Sequence, residues 1–353
     1  MPDTSGPGTI VQLGDSTAAG YCGRLLATSG RQVISVVTAG SAAASDGSPA
    51  ELATRAYLAQ GKVAIDASSD LQPALALIAD AECLITDRTL GELAAFGIAT
   101  DLETARKRPL VVVSITPWGS DGPPAMRNAT DLLMFHGGGL GVITPRFANN
   151  PEEPPLRLGY PVSDYLLGLN AAVAAMAGIN HLRETGEGSV IDCSGQHAVA
   201  HAEGLYFAYD SYEQRNSTRV SQPGLAPFHF LPCLDGYVMI ICPEEHQWRS
   251  LVTLMGSPEW AEAETFATSA SRALYWDAIE PLVVEWLADK TREELYHRAQ
   301  AARVPLAPVN NVDSLLSSAH LRSREFFSDL ETAGRTFQAP GRPYRQTGPS
   351  VQH

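Results

Sequence analysis

Three groups of residues have the types and spacing to do chemistry. Asp164 stands at the head of the apolar run Tyr165-Leu166-Leu167-Gly168. A carboxylate there is ionised at neutral pH, and the start of a helix favours an anion. By position alone such an aspartate reads as a helix N-cap. His197 and His201 lie four apart on a predicted helix, with Glu203 two residues on, a spacing that can put a metal on one helical face. HExxH is absent, and Ala198, Val199 and Ala200 between them are apolar, so the pair reads as polar helix positions and no metal is expected. Arg106-Lys107-Arg108 is a basic run just before a predicted strand. It could take a phosphate through charge-assisted bonds, or simply solvate a helix end. The five cysteines, Cys22, Cys83, Cys193, Cys233 and Cys242, form no CxxC pair and read as reduced, mostly buried thiols, which argues against a structural zinc.

The elements that must position these groups alternate. Thr9–Leu13, Gln32–Val37, Val63–Asp66, Cys83–Thr86, Pro109–Ile115 and Ser189–Cys193 read as strands. They are β-branched or continuously apolar, as buried parallel strands are. Helices are predicted at Ser16–Ser29, Asp70–Asp80 and Tyr165 to about Glu184, which together argue for a doubly wound α/β sheet. A nicotinamide site is not expected. The first turn, Gly14-Asp15-Ser16-Thr17-Ala18-Ala19-Gly20, is not G-x-G-x-x-G, and the second strand ends Val36-Val37-Thr38 without an acid for a ribose hydroxyl. Composition predicts a large α/β domain over residues 1–205, a linker at 206–225, a small domain at 226–310 and an extended tail after it. Thr291-Arg292-Glu293-Glu294 reads as a capping box opening a helix in the small domain.

The whole chain, 353 residues with 44% apolar and 18% charged side chains, has an ordinary globular composition. Its net charge of −14 argues against a broad nucleic-acid or polybasic membrane surface, though not against a local basic pocket. Met1-Pro2-Asp3-Thr4-Ser5-Gly6 lacks the basic flank and apolar run of a signal peptide, and no stretch of 18 apolar residues occurs. A soluble, cytoplasmic protein is expected.

A family resemblance emerges from several segments in order. Val111-Val112-Val113-Ser114-Ile115-Thr116-Pro117-Trp118-Gly119-Ser120-Asp121-Gly122-Pro123 resembles the signature strand and turn of the class III CoA-transferases, the carnitine and bile-acid type that includes formyl-CoA transferase and the methylacyl-CoA racemases. The likeness continues in Ala129-Thr130-Asp131-Leu132, Gly159-Tyr160-Pro161-Val162-Ser163-Asp164, Thr185-Gly186-Glu187-Gly188 with Ile191-Asp192, and Cys233-Leu234-Asp235-Gly236-Tyr237. It ends in Val304-Pro305-Leu306-Ala307-Pro308 and Arg324-Glu325-Phe326-Phe327. The resemblance implies a Rossmann-like large domain closed by both chain ends, with 311–353 a return linker and the C-terminal part of that domain, a smaller α+β domain, and two chains interlocked as a dimer. It implies that Asp164 is a nucleophile that forms an acyl anhydride and then a CoA thioester, with the helix N–H groups available to the oxyanion. Coenzyme A and acyl-CoA would be substrates rather than permanently bound cofactors, and a carboxylic acid the second substrate.

Some positions depart from the family pattern. Ser35, Val37, Val63 and Thr89 stand where relatives carry charged residues. The resemblance then leaves Lys62, Arg88, Arg106, Lys107 and Arg108 as the candidate CoA contacts. Ser221-Gln222-Pro223-Gly224 keeps a trace of the glycine-rich loop of formyl-CoA transferase, and Ala18 replaces its glutamine. Racemases carry a histidine where Thr130 stands, and threonine cannot shuttle a proton at neutral pH. Glu245 then reads as a surface acid and His136 as a packed or loop histidine. Two alternatives remain: a mainly structural subunit of a heteromeric CoA-transferase paired with a paralogue, and a racemase-like enzyme.

Overall fold

A computed structural model describes residues 8–38, 47–98, 107–123, 128–144, 154–214, 216, 219 and 225–346. In chain order the elements are β1 (Ile10–Leu13), α1 (Thr17–Thr28), β2 (Val33–Val37), α2 (Pro49–Ala59), β3 (Val63–Asp66), α3 (Gln72–Asp80), β4 (Cys83–Thr86), α4 (Leu90–Ala95) and β5 (Val111–Thr116). Then come α5 (Asp131–Gly137), α6 (Val162–Thr185), β6 (Ser189–Ser194), α7 (Gly195–His201) and α8 (Gly204–Glu213). They are followed by β7 (Phe228–Cys233), β8 (Gly236–Ile241), α9 (Glu245–Leu254), α10 (Ser269–Leu274), α11 (Trp276–Leu287), α12 (Arg292–Ala301) and β9 (Leu306–Pro308). The last elements are α13 (Val312–Ser317), α14 (Ala319–Ser323), β10 (Phe327–Thr332) and β11 (Arg335–Pro340).

The chain divides into two units. The larger comprises residues 1–145, 153–218 and 325–353, and the smaller 146–152 and 219–324. The stretch 206–225, expected to be a linker, carries most of α8, which groups with the larger unit, while α13 and α14, expected in the return linker, group with the smaller.

The larger unit is built on six parallel strands in the order β3-β2-β1-β4-β5-β6. Alternation along each strand separates two cores. Ile10, Cys83, Ile85, Val111 and Val113 face α1 and α6, while Val11, Leu13, Leu84 and Val112 face α3 and α4. Helix α6 is long and apolar enough to cross a membrane by length and composition. Its stripe Leu167, Ala171, Ala175, Ile179 and Leu182 is instead buried against the sheet and α1. Close approach to α1 is made by Gly168, where a β-carbon would lie 2.5 Å from the Ala18 carbonyl. The antiparallel hairpin β10–β11 completes the unit.

The smaller unit carries the antiparallel sheet β7-β8-β9 and the helices from α9 to α14. Its core gathers Leu231, Val238, Trp248, Ile279, Val283 and Leu295. Thr291 caps α12 by accepting the Glu294 N–H. Glu245, expected to be a surface acid, has a side chain 42% exposed and in addition is the counter-charge of the fully buried Arg272, with Oε2 2.9 Å from Nη1.

Candidate active site

In an open parallel sheet, ligands gather at the carboxyl ends of the strands, and above all where the strand order reverses. Here that point lies between β1 and β4. It is closed by Asp87, whose Oδ2 accepts the N–H groups of Asp15 and Ser16, both at 2.8 Å. A β-carbon on Gly14 would sit 2.6 Å from the same carboxylate. An aspartate therefore fills the anion position before α1 that a dinucleotide's pyrophosphate would need.

The signature turn after β5 is tied across neighbouring strands. Asp192 of β6 accepts the Ser120 N–H and hydroxyl at 2.8 and 3.2 Å, and Gly119 takes φ +88° beside it. Ser114 donates to the Arg88 carbonyl at 2.9 Å, which joins β5 to the end of β4. Two of the resembling segments, 111–123 and 191–192, thus meet in one hydrogen-bonded rim along the carboxyl edge of the sheet.

Asp164 is the third residue of α6 rather than its cap. The N-cap position is Pro161, whose ring offers no capping side chain, so the cap comes from elsewhere. Asp131, first residue of α5, supplies it: its Oδ1 accepts the N–H of Ser163 at 2.7 Å and of Asp164 at 3.3 Å. The N–H groups of Val162 and Tyr165 go to the carbonyls of Tyr160 and Pro161. All four N–H groups of the first turn are therefore taken, and the expectation that they would hold a tetrahedral oxyanion is not met. The half-buried Asp164 carboxyl is pushed up to about 6, first by burial and then by the Asp131 charge. At neutral pH it is still mostly an anion, and a more basic one than a free aspartate.

Beside it stand aromatic residues. Tyr165 meets Tyr21 edge-to-face at 4.7 Å, and Tyr160 lies 6.3 Å from Tyr165. Tyr160, Pro161 and Tyr165 line a cavity of about 480 Å³ whose far wall is Tyr57 and Phe337.

The candidate CoA contacts are not brought together. Lys62 turns inward, donating to Gln12 Oε1 at 2.8 Å and to the Gly20 carbonyl at 2.7 Å. Burial lowers its ammonium to about 7. Arg88 follows β4, on the same edge of the sheet as the start of α6, with its guanidinium 5.4 Å over the Phe96 ring and its Nε buried without a partner. Lys107 and Arg108 precede β5 and so lie at the opposite edge, where Arg108 donates to the Ile78 carbonyl at 3.3 Å. Arg106 and the loop 221–224 lie outside the described residues. Thr130 is the N-cap residue of α5, and His136 is an exposed residue near the end of that helix. His197 and His201 both border a wide cleft of about 710 Å³, and no cluster of three metal-ligating side chains occurs among the described residues.

The capping role of Asp131 and the closure by Asp87 had no sequence signal of their own, since each acts on residues 32 to 72 positions away.

A parallel sheet in this order, with a raised aspartate at the head of the helix between its last two strands, presents a basic carboxylate at the carboxyl edge where nucleophilic chemistry can take place. The chain belongs to CoA-transferase family III, whose family model matches residues 8–352. It is 25% identical over 296 residues to the succinyl-CoA–L-malate CoA-transferase alpha subunit of Chloroflexus aurantiacus, covering 80% of this chain and 67% of that one. The match to the beta subunit is 24% and spans 66% of its length. A succinyl-CoA:mesaconate CoA-transferase of Haloarcula hispanica is 25% identical, over 96% of this chain and 89% of its own. The chain thus spans about two thirds of the first two relatives and most of the third. In fold it is similar to a CaiB/BaiF family protein from Brucella suis, with a TM-score of 0.81 and 24% identity over 98% of this chain and 93% of that one.

Proposed function

We propose that the chain moves CoA from an acyl-CoA donor to a carboxylic acid, with Asp164 as the covalent nucleophile. The observation that carries this reading is the half-buried Asp164 carboxylate at the head of α6, made more basic by burial and Asp131, in a member of this family. Its oxygen attacks the thioester carbonyl, the C–S bond breaks, and an acyl–aspartyl anhydride and CoA thiolate result. The thiolate then attacks the aspartyl carbonyl, releasing the donor acid and leaving an aspartyl–CoA thioester. The acceptor carboxylate attacks that thioester to give a new anhydride and free thiolate. Attack of the thiolate on the acceptor's acyl carbonyl frees the Asp164 carboxylate and the product acyl-CoA. No general base is needed, because the Asp164 carboxylate, the CoA thiolate and the acceptor carboxylate all attack as anions. The oxyanion finds donors other than the α6 N–H groups, which Asp131 and the neighbouring carbonyls occupy.

The relatives make a short dicarboxylic donor such as succinyl-CoA the first to assay. Thr130 at the N-cap of α5 speaks against the racemase-like reading, which has no proton shuttle there. An obligate dimer is part of the proposal: Val173 on α6 is 65% exposed and Phe207 on α8 61%, an apolar face that a second chain would cover. Relatives named as alpha and beta subunits support a second reading, in which that partner is a paralogue.

The test is transfer from succinyl-CoA to a panel of carboxylic acids, with light scattering on the same sample. Asp164→Asn is expected to fold and to lower turnover by several orders of magnitude, the scale of a lost nucleophile. Retention of more than about a tenth of turnover would contradict the assignment. A folded species of 37.7 kDa would contradict the dimer.

A further inference from the structure

Arg24 of α1 is 2% exposed, yet among the described residues no carboxylate meets it. Its Nη2 donates to Gln60 Oε1 at 2.8 Å and to the Pro340 carbonyl at 2.7 Å, and its Cζ lies 3.9 Å from the centre of the Tyr57 ring. These partners are all neutral, and the buried Nε has none. A buried cation without a counter-charge is costly, and burial holds this guanidinium below its ordinary value. Arg24 lines a cavity of about 540 Å³ that also takes Arg31 and Arg342 into its wall, with Gln60, Thr28 and Ser328 as further polar groups. Among the described residues no Asp or Glu lines it, although acids outnumber bases 39 to 25 in the chain. Arg31 forms no ion pair among the described residues.

The cavity opens on the other edge of the sheet from the proposed chemistry, although Arg24 itself touches Tyr57, which lines the aromatic cavity beside Asp164. Arg31 and Gln32 immediately precede β2, and Gly61 lies two residues before β3, so it opens at the amino edge of the sheet. The helix bearing Asp164 starts at the carboxyl edge. Three planar guanidiniums around one cavity match an anion with several charged oxygens, which arginine binds through paired N–H groups.

We propose that this cavity is an anion site for a phosphate or polyphosphate group, separate from the catalytic aspartate, in which the ligand supplies the counter-charge that Arg24 lacks. Bound anion would tie the end of α1 to the segment following β11, since Arg24 and Arg342 come from those two places.

The test is calorimetric titration of the full-length protein with inorganic pyrophosphate, and in parallel with orthophosphate and with citrate. Saturable binding of pyrophosphate is expected, weakened about tenfold or more by Arg31→Gln and by Arg342→Gln. Both arginines are partly exposed, so their variants should keep the parental circular dichroism. Asp164→Asn and the exposed Arg335→Gln should bind as the parent does. Orthophosphate binding at the same site would place a free phosphate there as well as a phosphorylated compound. Citrate binding as tightly as pyrophosphate would overturn the phosphate assignment. The site itself is refuted by absence of saturation at millimolar pyrophosphate, or by binding that survives the double variant Arg31→Gln/Arg342→Gln.

Discussion

Replacing Asp164 by Asn should make the protein more stable while removing its activity. The folded carboxyl holds its proton more tightly than the unfolded one, about 6 against the ordinary 3.8. Its contribution to stability is therefore fully present below pH 3.8 and is lost as the pH rises through about 6. At pH 7.5 a shift of about two pH units corresponds to roughly 3 kcal/mol, and at pH 5 to about half of that. Asparagine escapes this penalty because it carries no charge to desolvate beside Asp131. It gives up the interaction of an anion with the first turn of α6, on the order of 0.5–1 kcal/mol. The net expectation is a variant more stable by roughly 2 kcal/mol at pH 7.5 and by about 1 kcal/mol or less at pH 5. Urea unfolding of both proteins at the two pH values, at one protein concentration, measures the difference. An Asp164→Asn variant no more stable than the parent at pH 7.5, or a gap that widens toward pH 5, would refute the reasoning that burial and Asp131 raise this carboxyl.

Asp131→Asn keeps an oxygen to accept the Ser163 and Asp164 N–H groups but removes the neighbouring charge. The acid limb of turnover, expected near pH 6 in the parent, should move downward, and an unmoved limb would show that Asp131 does not act on Asp164. Glu245→Gln should destabilise the smaller unit by on the order of 1 kcal/mol, read by urea unfolding, because it removes the charge facing a fully buried Arg272, an effect reduced by the 42% exposure of the Glu245 side chain. Lys62→Met should change the KM for acyl-CoA by less than about twofold, because its ammonium already serves Gln12 and Gly20; a large rise in KM would return Lys62 to the CoA site.

Sequence reasoning located the elements whose signal is local. Cys83–Thr86 is a continuous apolar run with turn residues after it, and Val111–Thr116 and Val162–Thr185 are equally plain, so the sheet and its main helix were legible. Helix α2 escaped because none of its residues is buried, leaving no apolar stripe to read. The hairpin β10–β11 escaped because Ala339 is the one buried residue in its two strands, and Pro340 and Gly341 suggested only an extended tail. At the site, Asp164 itself was legible, but its place was off by a turn's worth of capping logic. A proline at the cap position passes that role to Asp131, and no sequence window shows a bond between residues 32 apart. The basic candidates failed for a related reason. Charge is visible in sequence, whereas the edge of the sheet on which Arg88 and Arg108 fall depends on which end of a strand each one follows or precedes.

The central claim is that Asp164 carries the acyl group and then CoA. Its most direct test is mass spectrometry of the protein after incubation with a panel of acyl-CoAs, succinyl-CoA included, with hydroxylamine or borohydride added to trap the activated carboxyl. The account predicts a trapped adduct on the peptide containing Asp164 for at least one donor, and none there in Asp164→Asn. An adduct on any other residue, or an unmodified Asp164 in protein that is actively transferring CoA, would contradict it.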